Sequence, residues 1–216
     1  MTIIESFKNI LMESLGDNKR LIIGLYALFI IMFIVSWIFS SEIVAANIDQ
    51  IINSGGVSGP SAGEVSAIDL FIHNESSGIM VYFGSIFFAI MAFASIIYNA
   101  INLGMVGALL SSLQTNGALL YILYLIPHGI FEITGTIIQS VAGILLFRFL
   151  WNYVKSTIEN HENGWGSGLS QSFEKNKKLL IQSIVLMIFA TVLLLIAAPL
   201  EAHVSYEFSR FIVGLL

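Results

Sequence analysis

From residue 76 to residue 147 the chain carries one charged side chain, Glu132, and one histidine, His128. A stretch that long and that apolar cannot supply the surface of a water-soluble domain. A helix crosses a hydrocarbon core of about 30 Å with about 20 apolar residues. Backbone groups in that core must be satisfied internally, which leaves only helices or closed barrels. The apolar runs here are continuous, whereas barrel strands alternate apolar and polar residues. Charged residues make up 11% of the chain, against roughly 25% in a soluble domain. The fold class is therefore all-α, a polytopic transmembrane helix bundle, and the lipid bilayer is its first partner. No basic patch suits nucleic acid. With no cysteine, disulfides and thiolate metal sites are excluded.

Residues 1–20 read as an amphipathic N-terminal helix. Ile3, Ile4, Phe7, Ile10, Leu11 and Leu15 recur at helical spacing, with Glu5, Lys8, Asn9 and Glu13 mostly opposite. That pattern suits a helix lying along the membrane, or one packed on the chain's own cytoplasmic loops. A single bundle is expected over 21–200. Its first span, 21–40, is longer than a usual signal-peptide core and reads as a retained anchor; Val44-Ala45-Ala46, a loose cleavage pattern, keeps removal open. Residues 44–76 contain no Lys or Arg and hold a Gly/Ser-rich run at 53–61, so they form an outer loop. The region 78–151 is punctuated near 99–107, 114–117 and 127–129, which predicts spans at 78–98, 101–126 and 129–151, the middle one broken or bent. Residues 152–178, with Lys155, Lys175, Lys177 and Lys178, read as a cytoplasmic loop. A hinge is expected there at 164–168 and a short amphipathic helix at 169–178. The last span is 179–200, and 201–216 is an amphipathic tail. Lys and Arg prefer the cytoplasmic side. Five spans with the N-terminus inside and the C-terminus outside satisfy that preference, in a multi-pass protein of the cell membrane.

This topology gathers polar residues near the outer leaflet. His73, Asn74 and Glu75 open one span, His128 and Glu132 another, and Glu201 and His203 follow the last. Asn99 is expected at the opposite, cytoplasmic end. A charge inside the bilayer costs at least ~2.5 kcal/mol, so such residues face the bundle interior and mark function. His128 and Glu132, four apart, share one helix face. Three readings stay open. His128, Glu132, Glu201 and His203 offer two nitrogens and two carboxylates to a divalent metal such as zinc. The same groups suit acid–base or transport chemistry, and the broken middle span near Asn99 and Gln114 suits a small transporter or channel. The third reading is a polar network that locks helices together. Small residues (Gly104, Gly107, Ala108, Ser111, Gly135, Ala142, Gly143) let helices approach closely, within the chain or in a homodimer. No phosphate-binding loop or Ser–His–Asp arrangement is legible.

Pro127-His128-Gly129-Ile130-Phe131-Glu132 resembles the signature of the stage II sporulation protein M family of integral membrane proteins. Phe71-Ile72-His73-Asn74, the Asn-rich stretch 99–104 and Glu201-Ala202-His203-Val204-Ser205 resemble its other motifs, in the same order. The resemblance covers roughly 68–205 and implies a multi-pass membrane protein with Asn74, Asn99, His128, Glu132 and Glu201 at signature positions. Thr134 stands where a proline often follows the glutamate, and no basic residue follows Asn74. In endospore formers the family's namesake acts with a peptidoglycan hydrolase pair during engulfment. The resemblance thus implies a membrane scaffold or partner-recruiting component, for envelope-remodelling proteins, and the lack of a complete catalytic set favours a non-enzymatic role. A membrane-embedded metal-dependent hydrolase and a small transporter or channel are the alternatives.

Overall fold

The structure is a computed structural model that describes residues 3–53, 66–113, 115–159 and 165–215, and the described residues form helices joined by short turns. In chain order these are α1 (Ile3–Asp17), α2 (Lys19–Asn53), α3 (Ala67–Gly84), α4 (Ile90–Leu113), α5 (Gly117–Glu159), α6 (Trp165–Leu200), a π-helical turn (Glu201–Ser205) and α7 (Tyr206–Val213). Four helices, α2, α4, α5 and α6, are long and apolar enough to cross a membrane. Shorter and more polar, α3 carries Asp69, His73, Asn74 and Glu75 in its first half. The expected Gly/Ser-rich outer loop falls, from residue 54 to 65, outside the described residues.

Helices α2 to α6 alternate in direction. Tyr26 of α2 donates to Thr134 of α5 at 2.5 Å, while Trp37 packs on Tyr121, so α2 and α5 are antiparallel. Glu75 of α3 meets Gln139 of α5, and Tyr82 lies against Gly143, so these two are parallel. Glu75 also meets Thr191 of α6, and Tyr82 meets Ser183, so α3 and α6 are antiparallel.

The three middle helices are divided differently from the expectation. The break expected near residue 99 lies at 85–89, inside the predicted span 78–98. It was hidden because it uses no Gly or Pro: Phe88 (φ 63°) and Ala89 (φ 56°) take the left-handed region themselves, a strained choice for residues with a Cβ. The break at 114–117 is present. Asn116 is left-handed there, and Gly117 is required because a Cβ would sit 1.9 Å from the Leu110 carbonyl oxygen. The break at 127–129 is not present, since Pro127 lies inside α5. Proline removes one hydrogen bond, yet membrane helices tolerate it because neighbouring groups re-satisfy the backbone.

In 152–178, the helix expected at 169–178 is present as part of α6, whereas 152–159, expected as loop, continues α5, and 165–168, expected as a hinge, already belongs to α6. Nothing in 152–159 breaks a helix. Phe149, Tyr153 and Phe173 pack their rings together, and Asn176 bonds Ser156 across α5 and α6. At 1.5 Å per residue, the 43 residues of α5 span about 64 Å, twice the hydrocarbon thickness.

The core lies where α5 meets its neighbours. Ile137, Val141, Ala142 and Leu145 are fully buried against Ala92, Ile96, Leu186 and Ala190. The small residues are spent on packing inside the chain. Gly104 abuts Phe33 and Ser36, Gly107 abuts Trp37, Gly135 abuts Leu194, and Gly143 abuts Ser85. Of the two readings of the N-terminal helix, α1 packs on the chain's own α6. Ser14 is fully buried, Lys178 bridges Glu13 (2.7 Å) and Asp17 (2.8 Å), and Asn18 meets Gln182. Ile4 and Met12 face outward.

Two predictions follow from this packing. A methyl group at Gly104 would lie 2.6 Å from the Phe33 carbonyl oxygen, whereas one at Gly24 meets nothing within 4 Å. Gly104→Ala is expected to cost about 1–3 kcal/mol through overpacking, while Gly24→Ala is neutral or stabilising by up to ~1 kcal/mol. Thermal unfolding of both variants in one detergent checks the pair. Separately, hydrogen bonds from Lys178, then Gln182, hold the Asp17 carboxyl below its ordinary value of 3.8. Its contribution is complete above that value and is lost as pH falls further. Hydrogen exchange in α1 should therefore speed up below about pH 4 in the wild type and lose that pH step in Asp17→Asn.

Candidate functional site

The apolar run that forms the middle of α5 holds one amide, Gln139, and it is 2% exposed. Its Nε2 donates to Glu75 Oε2 at 3.0 Å, and Thr191 Oγ1 donates to Glu75 Oε1 at 2.7 Å. One carboxylate of α3 is thereby held by α5 and α6 together. Gly78 gives Gln139 its room, since a Cβ there would lie 2.1 Å from Gln139 Oε1.

About three turns nearer the start of α5 is a second polar group. His128 is 3% exposed, its ring edge-on to Tyr124. Its Nδ1 lies 2.8 Å from Ser205 Oγ, and its Nε2 lies 3.8 Å from Glu132 Oε2. Glu201 completes the group: one donor atom each from His128, Glu132 and Glu201 lie within 4.8 Å of one another. Tyr124 reaches Glu201 at a marginal 3.5 Å, and Asn74 lines the same cavity as Glu132.

The end of α6 explains why Glu201 and Ser205 reach α5. Pro199 removes a backbone donor in the last turn of α6, and the chain continues as a π-helical turn. Ser205 Oγ bonds back five residues to the Leu200 carbonyl at 3.0 Å. Such turns are rare and recur at functional sites. His203, expected among the metal ligands, is exposed and outside the group. Two residues beyond Glu201 on a tight turn, it points away from α5.

Asn99 is also placed differently from the expectation. With the chain break at 85–89, α4 carries Asn99 to mid-bundle rather than to the cytoplasmic end. There it lines a cavity of about 360 Å³ with Asn74, Ser95, Glu132, Thr136 and Gln139. Asn74, Asn99 and Glu132 thus border one cavity, while His128 and Glu201 meet Glu132 at its edge. Gln139, Tyr124 and Thr191 are absent from the sequence-based set. Gln139 had a readable signal as the lone amide of its run, whereas Tyr124 and Thr191 look like ordinary helix residues.

The family model described as stage II sporulation protein M matches residues 25–206. The chain belongs to the stage II sporulation protein M family. Among curated proteins, an uncharacterised protein of Methanocaldococcus jannaschii is 30% identical over 132 residues, which is 60% of this chain and 65% of that protein. The chain therefore spans somewhat under two thirds of the curated relative it matches. No solved structure matches. For the family member described here, the match ends one residue past the π-helical turn, so both polar groups lie within it.

Removing the amide that holds Glu75 should expose the network's worth. Gln139→Leu leaves one Glu75 oxygen without its donor and is expected to destabilise by about 1–3 kcal/mol. Thr191→Val should do the same through the other oxygen. Thermal denaturation of the single and double variants gives the coupling between them.

Proposed function

We propose that this stage II sporulation protein M family member is a non-enzymatic scaffold of the cell membrane that recruits protein partners for cell-envelope remodelling. The observation that carries this reading is the hairpin of α5 and α6 beyond the bundle. Arg148 and Lys155 on α5, and Lys175, Lys177 and Lys178 on α6, mark that end as the cytoplasmic one. On it, Trp151 and Val154, neighbours on one face of α5, are 57% and 55% exposed. Exposed aromatic and aliphatic stripes outside the hydrocarbon region are what protein interfaces use, with Trp a frequent anchor.

The buried polar groups support the same reading. Gln139 and Thr191 each donate to one oxygen of Glu75, a tie that fixes the register of α3, α5 and α6. A bundle held in one register presents its cytoplasmic hairpin at a fixed angle to the membrane, which suits a platform.

A photo-crosslinking residue at position 154, compared with one at 188 on the lipid-facing side of α6, tests the proposal in cells. Position 154 is expected to give discrete protein adducts that include envelope-remodelling proteins, and position 188 to give none. Trp151→Ser should weaken the adduct by roughly 2 kcal/mol of interface energy without changing the melting temperature. Equal labelling at both positions, or turnover of an envelope substrate by the purified chain alone, would contradict it.

A further inference from the structure

We propose that His128, Glu132 and Glu201 form a site for a divalent metal of the zinc class, with a fourth coordination position open toward the polar cavity between α3, α4 and α5. This inference stands on the geometry of the three side chains and does not depend on the scaffold reading.

Hydrogen-bond direction comes first. Ser205 has one hydroxyl hydrogen, and it goes to the Leu200 carbonyl, which can only accept. Both contacts of the Ser205 hydroxyl are satisfied at once when His128 carries its proton on Nδ1 and donates it to Ser205 Oγ, and that is the tautomer we assign. That leaves Nε2 as the lone-pair end of a neutral imidazole. Metal-ligating histidines show the same arrangement, with the second ring nitrogen donating to an outer partner that fixes tautomer and orientation.

The lone pair of Nε2 does not face a donor. Its neighbour is Glu132 Oε2 at 3.8 Å, too long for a hydrogen bond, with a Glu201 oxygen in the same group. Three electron-pair donors thus converge. Among the described residues, no Lys or Arg forms an ion pair with Glu132 or Glu201; the lysine pairs are with Glu13, Asp17, Glu159 and Glu174. Two carboxylates without a counter-cation in an apolar bundle are costly. One dication neutralises both charges and turns three mutually repelling lone pairs into ligands.

The ligand set and spacing agree with the zinc class. Imidazole with carboxylates suits zinc and related first-row ions. Atoms within 4.8 Å of one another lie at most about 2.8 Å from a common centre, and bond lengths of about 2.0–2.2 Å need a further closure of less than an ångström. Tyr124 beside Glu201 provides an outer partner to that carboxylate, and Asn74 borders the cavity that Glu132 lines. Three protein ligands leave a fourth position of a tetrahedral ion for water or a small polar ligand. Glu132 also lines the 360 Å³ cavity, so that position is reached from the polar side of the bundle. The metal would tie α5 to the turn after α6, two pieces of chain 69 residues apart.

The test uses the full chain in detergent, stripped with chelator and equilibrated with Zn²⁺ alone, then with Co²⁺ alone. About one zinc per chain is expected, together with the visible absorption of four- or five-coordinate cobalt. His128→Ala and Glu201→Gln should bind more than tenfold more weakly, and His203→Ala should bind as the wild type does. Should His128→Ala fail to fold, Ser205→Ala keeps all three ligands and loses only the orienting acceptor, with an expected 10–100-fold loss of affinity. Wild-type binding well below one equivalent, absence of the cobalt signature, or equal loss in His203→Ala would overturn the proposal and leave a proton-bridged or purely structural cluster.

Discussion

A bilayer offers no hydrogen-bond partners, so polar side chains inside a bundle are satisfied by the protein itself. Here many bond the carbonyl one turn back on their own helix, and many of the described hydrogen bonds between helices have α5 at one end. Of the four helices long and apolar enough to cross a membrane, α5 is the most buried, with 61% of its most apolar window covered, against 17–33% for the others. It is the axis on which the rest is assembled: Tyr26 of α2 reaches Thr134, Tyr121 reaches α4, Gln139 reaches Glu75 of α3, and His128 reaches Ser205 beyond α6. Each tie fixes one neighbour in rotation and height against α5. Apolar packing alone would specify these poorly, because lipid tails compete equally for apolar surface.

Helical class, repeated membrane crossing and alternating direction were legible because they follow from the length and continuity of apolar runs. Helix ends were less so. The turn at 85–89 carries no Gly, Pro or Asn at its left-handed positions, so Phe88 and Ala89 gave no warning of it. Pro127 gave a false one, because a proline within a packed membrane helix is tolerated. These two misreadings displaced the end of α3, both ends of α4 and the start of α5, each by more than ten residues. They also moved Asn99 from the cytoplasmic end to the cavity. The extended hairpin was missed for a related reason: the lysines and the glycine-rich run at 164–168 read as loop, while a helix that leaves the membrane still needs a polar outer face.

The polar residues were legible as outliers in an apolar background, but their grouping depends on details no pattern reveals. Glu201 and His203 look equivalent in sequence. The π-helical turn separates them, directing Glu201 and Ser205 toward α5 and His203 away. The five residues singled out by resemblance to the family's motifs, Asn74, Asn99, His128, Glu132 and Glu201, come from four chain segments and lie around one cavity and its edge. This arrangement gives the family's motifs a common physical context, whether the cavity serves a metal, a ligand or the rigidity of a platform.

The claim on which both the fold and the proposed site depend is that the turn after α6 folds back onto α5 at His128. Because the chain contains no cysteine, an engineered pair reports on this without background. The double variant His128→Cys with Ser205→Cys should form an intrachain disulfide under mild oxidation in membranes, since the two side chains approach to 2.8 Å. The pair His128→Cys with His203→Cys should remain reduced. Efficient cross-linking of the second pair, or failure of the first in a folded protein, would show that the turn does not pack as described and would remove Glu201 from the site.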